Sequence, residues 1–139
     1  MERARVLLVE DNDTDQALVR RALKLAKVDA EIDVARDGVE AILLIERPGF
    51  RLPALVLLDI KMPKLSGHDV LRAIRAEART RHLPVVMLSS AALEGDIRAA
   101  YELGCNGYIE KAVDAETFVE AVGIAGRFWV GVNRWPGEE

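Results

Sequence analysis

Ala54-Leu55-Val56-Leu57-Leu58 is an uninterrupted aliphatic run that ends on a carboxylate, Asp59. Alternation of apolar and polar residues would mark a strand with one wet face. A continuous run marks a strand covered on both faces, as in a parallel sheet between two helical layers. Val85-Val86-Met87-Leu88 reads the same way. Strands are predicted at 54–58 and 84–89, with three more short runs at 5–9, 31–35 and 107–110.

The intervening segments carry helical periodicity. Leu18, Ala22 and Leu25 share one stripe, as do Val70, Leu71 and Ile74, leaving Arg20, Lys24, Arg72 and Arg75 for the wet side. Ala41, Ile42, Leu44 and Ile45 predict a second helix, Ile97, Ala100 and Tyr101 a fourth, and Phe118, Val122 and Ala125 a fifth. Pro48, Pro53, Pro63 and Pro84 all fall in connections, where a missing amide does no harm. Strict alternation predicts a doubly wound (βα)5 sandwich.

A length of 139 residues suits one domain with its own core, and 50% hydrophobic with 30% charged residues is ordinary globular usage. The net charge of −4 argues against nucleic acid or an anionic membrane as partner. A single cysteine, Cys105, cannot form an intrachain disulfide and gives no sign of an oxidising compartment. It reads as a small buried hydrophobe in a helix-to-strand turn. The lead into the first strand is too short for a signal-peptide core, and no apolar run reaches membrane-spanning length. A cytoplasmic location is expected.

In open parallel sheets the ligand crevice lies beyond the carboxyl ends of the strands where strand order reverses, here between strands one and three. Strand one ends in Glu10-Asp11-Asn12-Asp13 and strand three in Asp59, so carboxylates from two distant segments are expected to converge. Such a cluster repels itself unless solvated, partly protonated or compensated by a cation, and an all-oxygen site with room for water suits Mg²⁺. Without metal, Asp59 is expected to have a raised pKa. Taken alone, the acids of strand one could simply cap a helix; Asp59, directly after a buried strand, has no such stabilising reading.

Two other ligand readings fail on their own residues. Asp11-Asn12-Asp13-Thr14-Asp15 opens like a calcium-binding EF-hand loop, but Gln16 stands where glycine is required and Ala22 where glutamate is. A phosphate cradle for a nucleotide would want glycine or hydroxyl residues here, and the acids between Glu10 and Asp15 would repel it.

The chain resembles the receiver domains of two-component response regulators. The resemblance rests on Val9-Glu10-Asp11, on Leu57-Leu58-Asp59-Ile60-Lys61-Met62-Pro63 followed by Gly67, on Val86-Met87-Leu88-Ser89, and on Gly107-Tyr108-Ile109-Glu110-Lys111. It implies a CheY-like, flavodoxin-like fold with a five-stranded parallel sheet in order 2-1-3-4-5. It further implies that Asp59 accepts a phosphoryl group, that Glu10, Asp11, Asp59 and the backbone carbonyl of Lys61 hold Mg²⁺, and that Lys111 faces the phosphoryl oxygens. Ser89 takes the place of the switch hydroxyl and Tyr108 that of the coupled aromatic. Ala112 stands where the family has a proline in a cis peptide, so the geometry after Lys111 is left open. Lys61 and Ala91 lie near the expected water path to the phosphoryl group. His68 and His82 are expected to face solvent.

Residues 1–126 are assigned to the receiver and 127–139 to an apolar extension holding both tryptophans, with no output domain. The extension either packs on its own domain or meets another protein. It resembles the ending of single-domain regulators partnered with bacterial phytochrome histidine kinases. That resemblance implies a sensor histidine kinase as partner and a homodimer through helix 4, strand 5, helix 5 and the tail. An aspartyl phosphatase would need a second aspartate where Lys61 stands. A receiver fold kept only for docking would not need Glu10, Asp11, Asp59, Ser89 and Lys111 together. The expected activity is that of a phosphoacceptor rather than a turnover enzyme.

Overall fold

Five strands and five helices alternate along the chain in the computed structural model, which describes residues 3–90, 93–111 and 114–136. In order they are β1 (Ala4–Val9), α1 (Asp13–Leu25), β2 (Ala30–Ala35), α2 (Gly38–Glu46), β3 (Leu55–Asp59), α3 (Gly67–Ala76), β4 (Val85–Ser89), α4 (Glu94–Glu102), β5 (Gly107–Glu110) and α5 (Ala115–Gly126). The strands form one parallel sheet in the order β2-β1-β3-β4-β5, as expected.

Every residue of β3 and β4 is buried, which accounts for their continuous aliphatic sequences. Leu55 and Leu57 join Val86 and Leu88 against α1 and α5, while Val56 and Leu58 join Val85 and Met87 against α2, α3 and α4. Each fully buried aliphatic side chain contributes about 1.5–3 kcal/mol. The central strands therefore anchor the sheet more firmly than edge strand β2, which is partly exposed along most of its length.

Helix starts are set by short polar caps. Asn12, Asp37, Ser66 and Asp114 each accept a hydrogen bond from the backbone N–H three residues on. In α3 the cap is reciprocal, with Asp69 reaching back to Ser66 N.

Three expectations about helix faces are corrected. In α1 the inward stripe is Val19, Ala22 and Leu23, and Leu25 is 62% exposed, because the helix presents a face rotated from the one Leu25 would complete. In α4 only Ala100 is buried, and Tyr101 points outward. Arg75 is not a solvent-side charge: its guanidinium donates to the carbonyls of Arg81, Leu83 and Gly104 and to Asn106 Oδ1, at 2.8–3.0 Å. Asn106 Oδ1 also accepts from Val85 N at 2.8 Å, so one arginine ties α3 to the loops that lead into β4 and β5. Cys105 beside it is buried, and burial pushes its thiol pKa up.

Beyond α5 the chain continues as a π-helical segment, Arg127–Val132, closed by Asn133 N donating to Phe128 O at 2.7 Å. Its aromatic residues divide between the two expected roles. Trp129 and Val130 pack on the core under α1 and α5, and Trp135 packs on the opposite core. Phe128, edge-on to Trp129, and Val132 remain exposed. Among the described residues no helix is long and apolar enough to cross a membrane.

Candidate functional site

The ladders of the sheet run one residue past three of the strands and place the site. Glu10 N donates to Ala35 O, Ile60 N to Leu88 O and Lys111 N to Ser89 O. Val9 pairs with Leu58 and Asp59 with Leu88, so Glu10 and Asp59 finish adjacent strands at the same edge. Ser89 pairs with Glu110, which delivers Lys111 to that edge from β5. The edge is the carboxyl end of the sheet at the β1/β3 reversal, where such folds place their ligands.

There Lys111 Nζ lies 2.8 Å from Glu10 Oε1, 3.0 Å from Asp15 Oδ2 and 3.3 Å from Asp59 Oδ1. Glu10 is fully buried and Asp59 almost so. Burial pushes the Glu10 carboxyl up to about 7; Lys111 opposes the shift and the neighbouring Asp59 charge adds to it. Asp59 is also raised, by burial first, with Lys111 and a hydrogen bond from Glu10 working against it. Burial disfavours the Lys111 ammonium, but the surrounding carboxylates outweigh it and hold its pKa above the ordinary lysine value.

Residues 6–123 match the family of the response regulator receiver domain. The chain belongs to this family. It is 38% identical over 135 residues to the probable methanogenesis regulatory protein FilR2 of Methanothrix harundinacea, covering 95% of this chain and 87% of FilR2. It is 34% identical over 129 residues to response regulator Rcp1 of Synechocystis, covering 90% of this chain and 88% of Rcp1. The Mn²⁺-bound structure of Rcp1 matches with a TM-score of 0.88 at 33% identity, over 96% of this chain and 99% of Rcp1. The phosphorylated cyanobacterial phytochrome response regulator RcpA gives 0.89 at 33% identity, over 98% of this chain and 100% of RcpA.

In this receiver Glu10, Asp11 and Asp59 each offer a carboxylate oxygen, all within 4.8 Å of one another. A set of hard oxygen donors with one exposed member suits a hard divalent cation that keeps part of its water shell. Asp11 is exposed and Glu10 is not, so the expected grouping of these acids holds while their surroundings differ. Glu10 does not cap α1; that role falls to Asn12, with Asp13 and Asp15 in the first turn. Lys61 lies in the exposed loop immediately after β3.

Ser89 is buried, and it hydrogen-bonds Tyr108, whose phenol pKa is raised by burial and partly restored by that bond. The two residues singled out as a switch pair are thus in direct contact on the α3/α4 side of the sheet. His68 departs from expectation: it is half-buried with Nε2 3.1 Å from Asp96 O, bridging α3 and α4, while His82 is exposed. Ala91 and the Lys111-Ala112 junction lie outside the described residues.

Sequence reasoning grouped Asp15 with the acids of the first loop but did not place it on Lys111. The available signal was its position three residues after the Asn12 cap, which fixes it in the first turn of α1.

Proposed function

We propose that this receiver is a phosphorylation switch in two-component signalling, in which Asp59 takes a phosphoryl group from a sensor histidine kinase in the cytoplasm. The observation that carries the reading is the triple contact of Lys111 with Glu10, Asp15 and Asp59 beside the Glu10, Asp11 and Asp59 oxygens. Stability alone does not account for burying a lysine among carboxylates.

An Asp59 carboxylate oxygen attacks the phosphorus of the phosphohistidine, an O–P bond forms, and the P–N bond breaks with its electron pair returning to the imidazole. Lys111 supplies positive charge to the transferred oxygens. Mg²⁺ is the ion we assign to Glu10, Asp11, Asp59 and the Lys61 carbonyl, where it would neutralise charge on the transferring group. Once Asp59 carries the phosphoryl group, Ser89 exchanges Tyr108 for the new acceptor, and the α4 side responds.

The likeness to RcpA supports a phytochrome-type kinase as the partner. Exposed Leu93, Tyr101, Ile124, Phe128 and Val132 support a homodimer through α4, β5, α5 and the tail. Residues 1–126 then act as the receiver and 127–139 as the extension that adds to this contact. A monomer at high concentration, with and without phosphorylation, would exclude the dimer. For the site itself, the test is phosphoryl incorporation from acetyl phosphate with Mg²⁺, present in the parent and lost in Asp59→Asn.

A further inference from the structure

The Lys111 ammonium donates hydrogen bonds to Glu10 Oε1 and Asp15 Oδ2 and lies 3.3 Å from Asp59 Oδ1, so three carboxylates surround its three N–H donors. A phosphoryl oxygen arriving at Asp59 competes with these carboxylates for the Lys111 ammonium. The side chain of Glu10 is 0% exposed and that of Asp59 6%, whereas that of Asp15 is 26% exposed. Water can therefore resolvate Asp15 at the least cost.

The first turn of α1 is arranged to hold Asp15 in this position. An acid three residues after a helix cap ordinarily reaches back to the cap's N–H, as Asp69 does toward Ser66 N at 3.2 Å in α3. In α1 the corresponding N–H, that of Asn12, is taken by Glu10 Oε2 at 3.2 Å. Asn12 Oδ1 still fixes Asp15 N at 2.8 Å. The Asp15 backbone is thus held while its carboxylate is turned away from capping and onto Lys111. Its oxygens are also not among those that converge on the metal position.

We infer that Asp15 is a positioning residue that holds the Lys111 ammonium in the resting receiver and is the partner Lys111 releases to engage the phosphoryl group, so that it restrains phosphoryl capture. The inference rests on the proposed phosphorylation of Asp59.

The test compares the parent with Asp15→Asn, Asp15→Glu and Asp13→Asn, the last neutralising a neighbouring acid that pairs with Arg36 instead. Phosphoryl incorporation is followed against acetyl phosphate concentration, fluoroberyllate binding serves as a non-catalytic probe, and Mg²⁺ affinity is measured by calorimetry. In Asp15→Asn the half-saturating acetyl phosphate concentration is expected to fall by roughly two- to fivefold, the equivalent of one partly exposed ion pair. The maximal rate and Mg²⁺ affinity should be unchanged, and fluoroberyllate should bind correspondingly tighter. Asp15→Glu restores the parental values and Asp13→Asn leaves them in place. An unchanged or weaker capture in Asp15→Asn, an equal gain in Asp13→Asn, or a shift in Mg²⁺ affinity would each overturn the inference while leaving Asp59 as phosphoacceptor. A parent that takes up no phosphoryl group, or Asp59→Asn that still does, would remove the underlying reading as well.

Discussion

Lys111 Nζ sits 2.8 Å from Glu10 Oε1, although 101 residues separate the two in the chain, and their side chains are 9% and 0% exposed. The pair joins the far ends of the fold across an acidic edge, and its energetics can be read by removing either sign of charge. Lys111→Met leaves buried carboxylates without their cation and is expected to destabilise the metal-free protein by about 3 kcal/mol. Asp59→Asn relieves a carboxylate whose ionisation burial already disfavours, and is expected to stabilise the metal-free protein. Urea unfolding of both variants in EDTA checks the opposite signs.

The same burial sets a pH dependence. With its folded-state pKa raised from 4.5 to about 7, Glu10 keeps a proton that the unfolded chain has lost across that window. Its contribution to stability is therefore full below about 4.5 and declines as pH rises to about 7. The helix-capping carboxylates act in the other direction. Asp37, Asp69 and Asp114 have pKa values lowered below 3.8, chiefly by backbone hydrogen bonds, so their contribution is lost only as pH falls through that range. In EDTA the urea midpoint is expected to rise as pH is lowered from about 7 toward 4.5 and to fall in stronger acid. Saturating Mg²⁺ is expected to flatten the upper limb, because a cation held by these oxygens would favour their deprotonated form.

Gly67 is packed against the backbone of the residue it helps to position. A Cβ there would collide with the Asp59 carbonyl oxygen and lie 2.8 Å from Ile60 Cα, where no flexible side chain can give way. Gly67→Ala is expected to cost about 1–3 kcal/mol and to weaken Mg²⁺ binding by displacing Asp59. Unfolding and calorimetry measure the two effects separately.

Arg75 gives the contrasting case, a charged residue that serves the frame and not the site. Arg75→Met forfeits hydrogen bonds to three carbonyls and Asn106, with an expected loss of about 2–3 kcal/mol and no change in Mg²⁺ affinity.

These residues also mark what can be read from sequence. The fold was legible because β3 and β4 are buried on both faces and leave no polar position to obscure the pattern. The acidic edge was legible because a parallel sheet brings the carboxyl ends of β1 and β3 together, so Glu10 and Asp59 meet wherever that order holds. Leu23 and Leu25 could not be sorted by periodicity, since α1 offers leucines on neighbouring faces and tertiary packing selects between them. Arg75 finds acceptors 29 and 31 residues away, in loops with no pattern of their own. Asp15 was hidden for a related reason: its role depends on Glu10 occupying the Asn12 N–H, a competition that spacing does not encode.

The most direct measurement of the central claim is chemical mapping of the phosphorylated residue. The parent is treated with acetyl phosphate and Mg²⁺, the acyl phosphate is reduced with borohydride, and the peptides are sequenced by mass spectrometry. Conversion to homoserine at Asp59, abolished by EDTA, is the expected result. Modification at another residue, or incorporation that persists in Asp59→Asn, would contradict it.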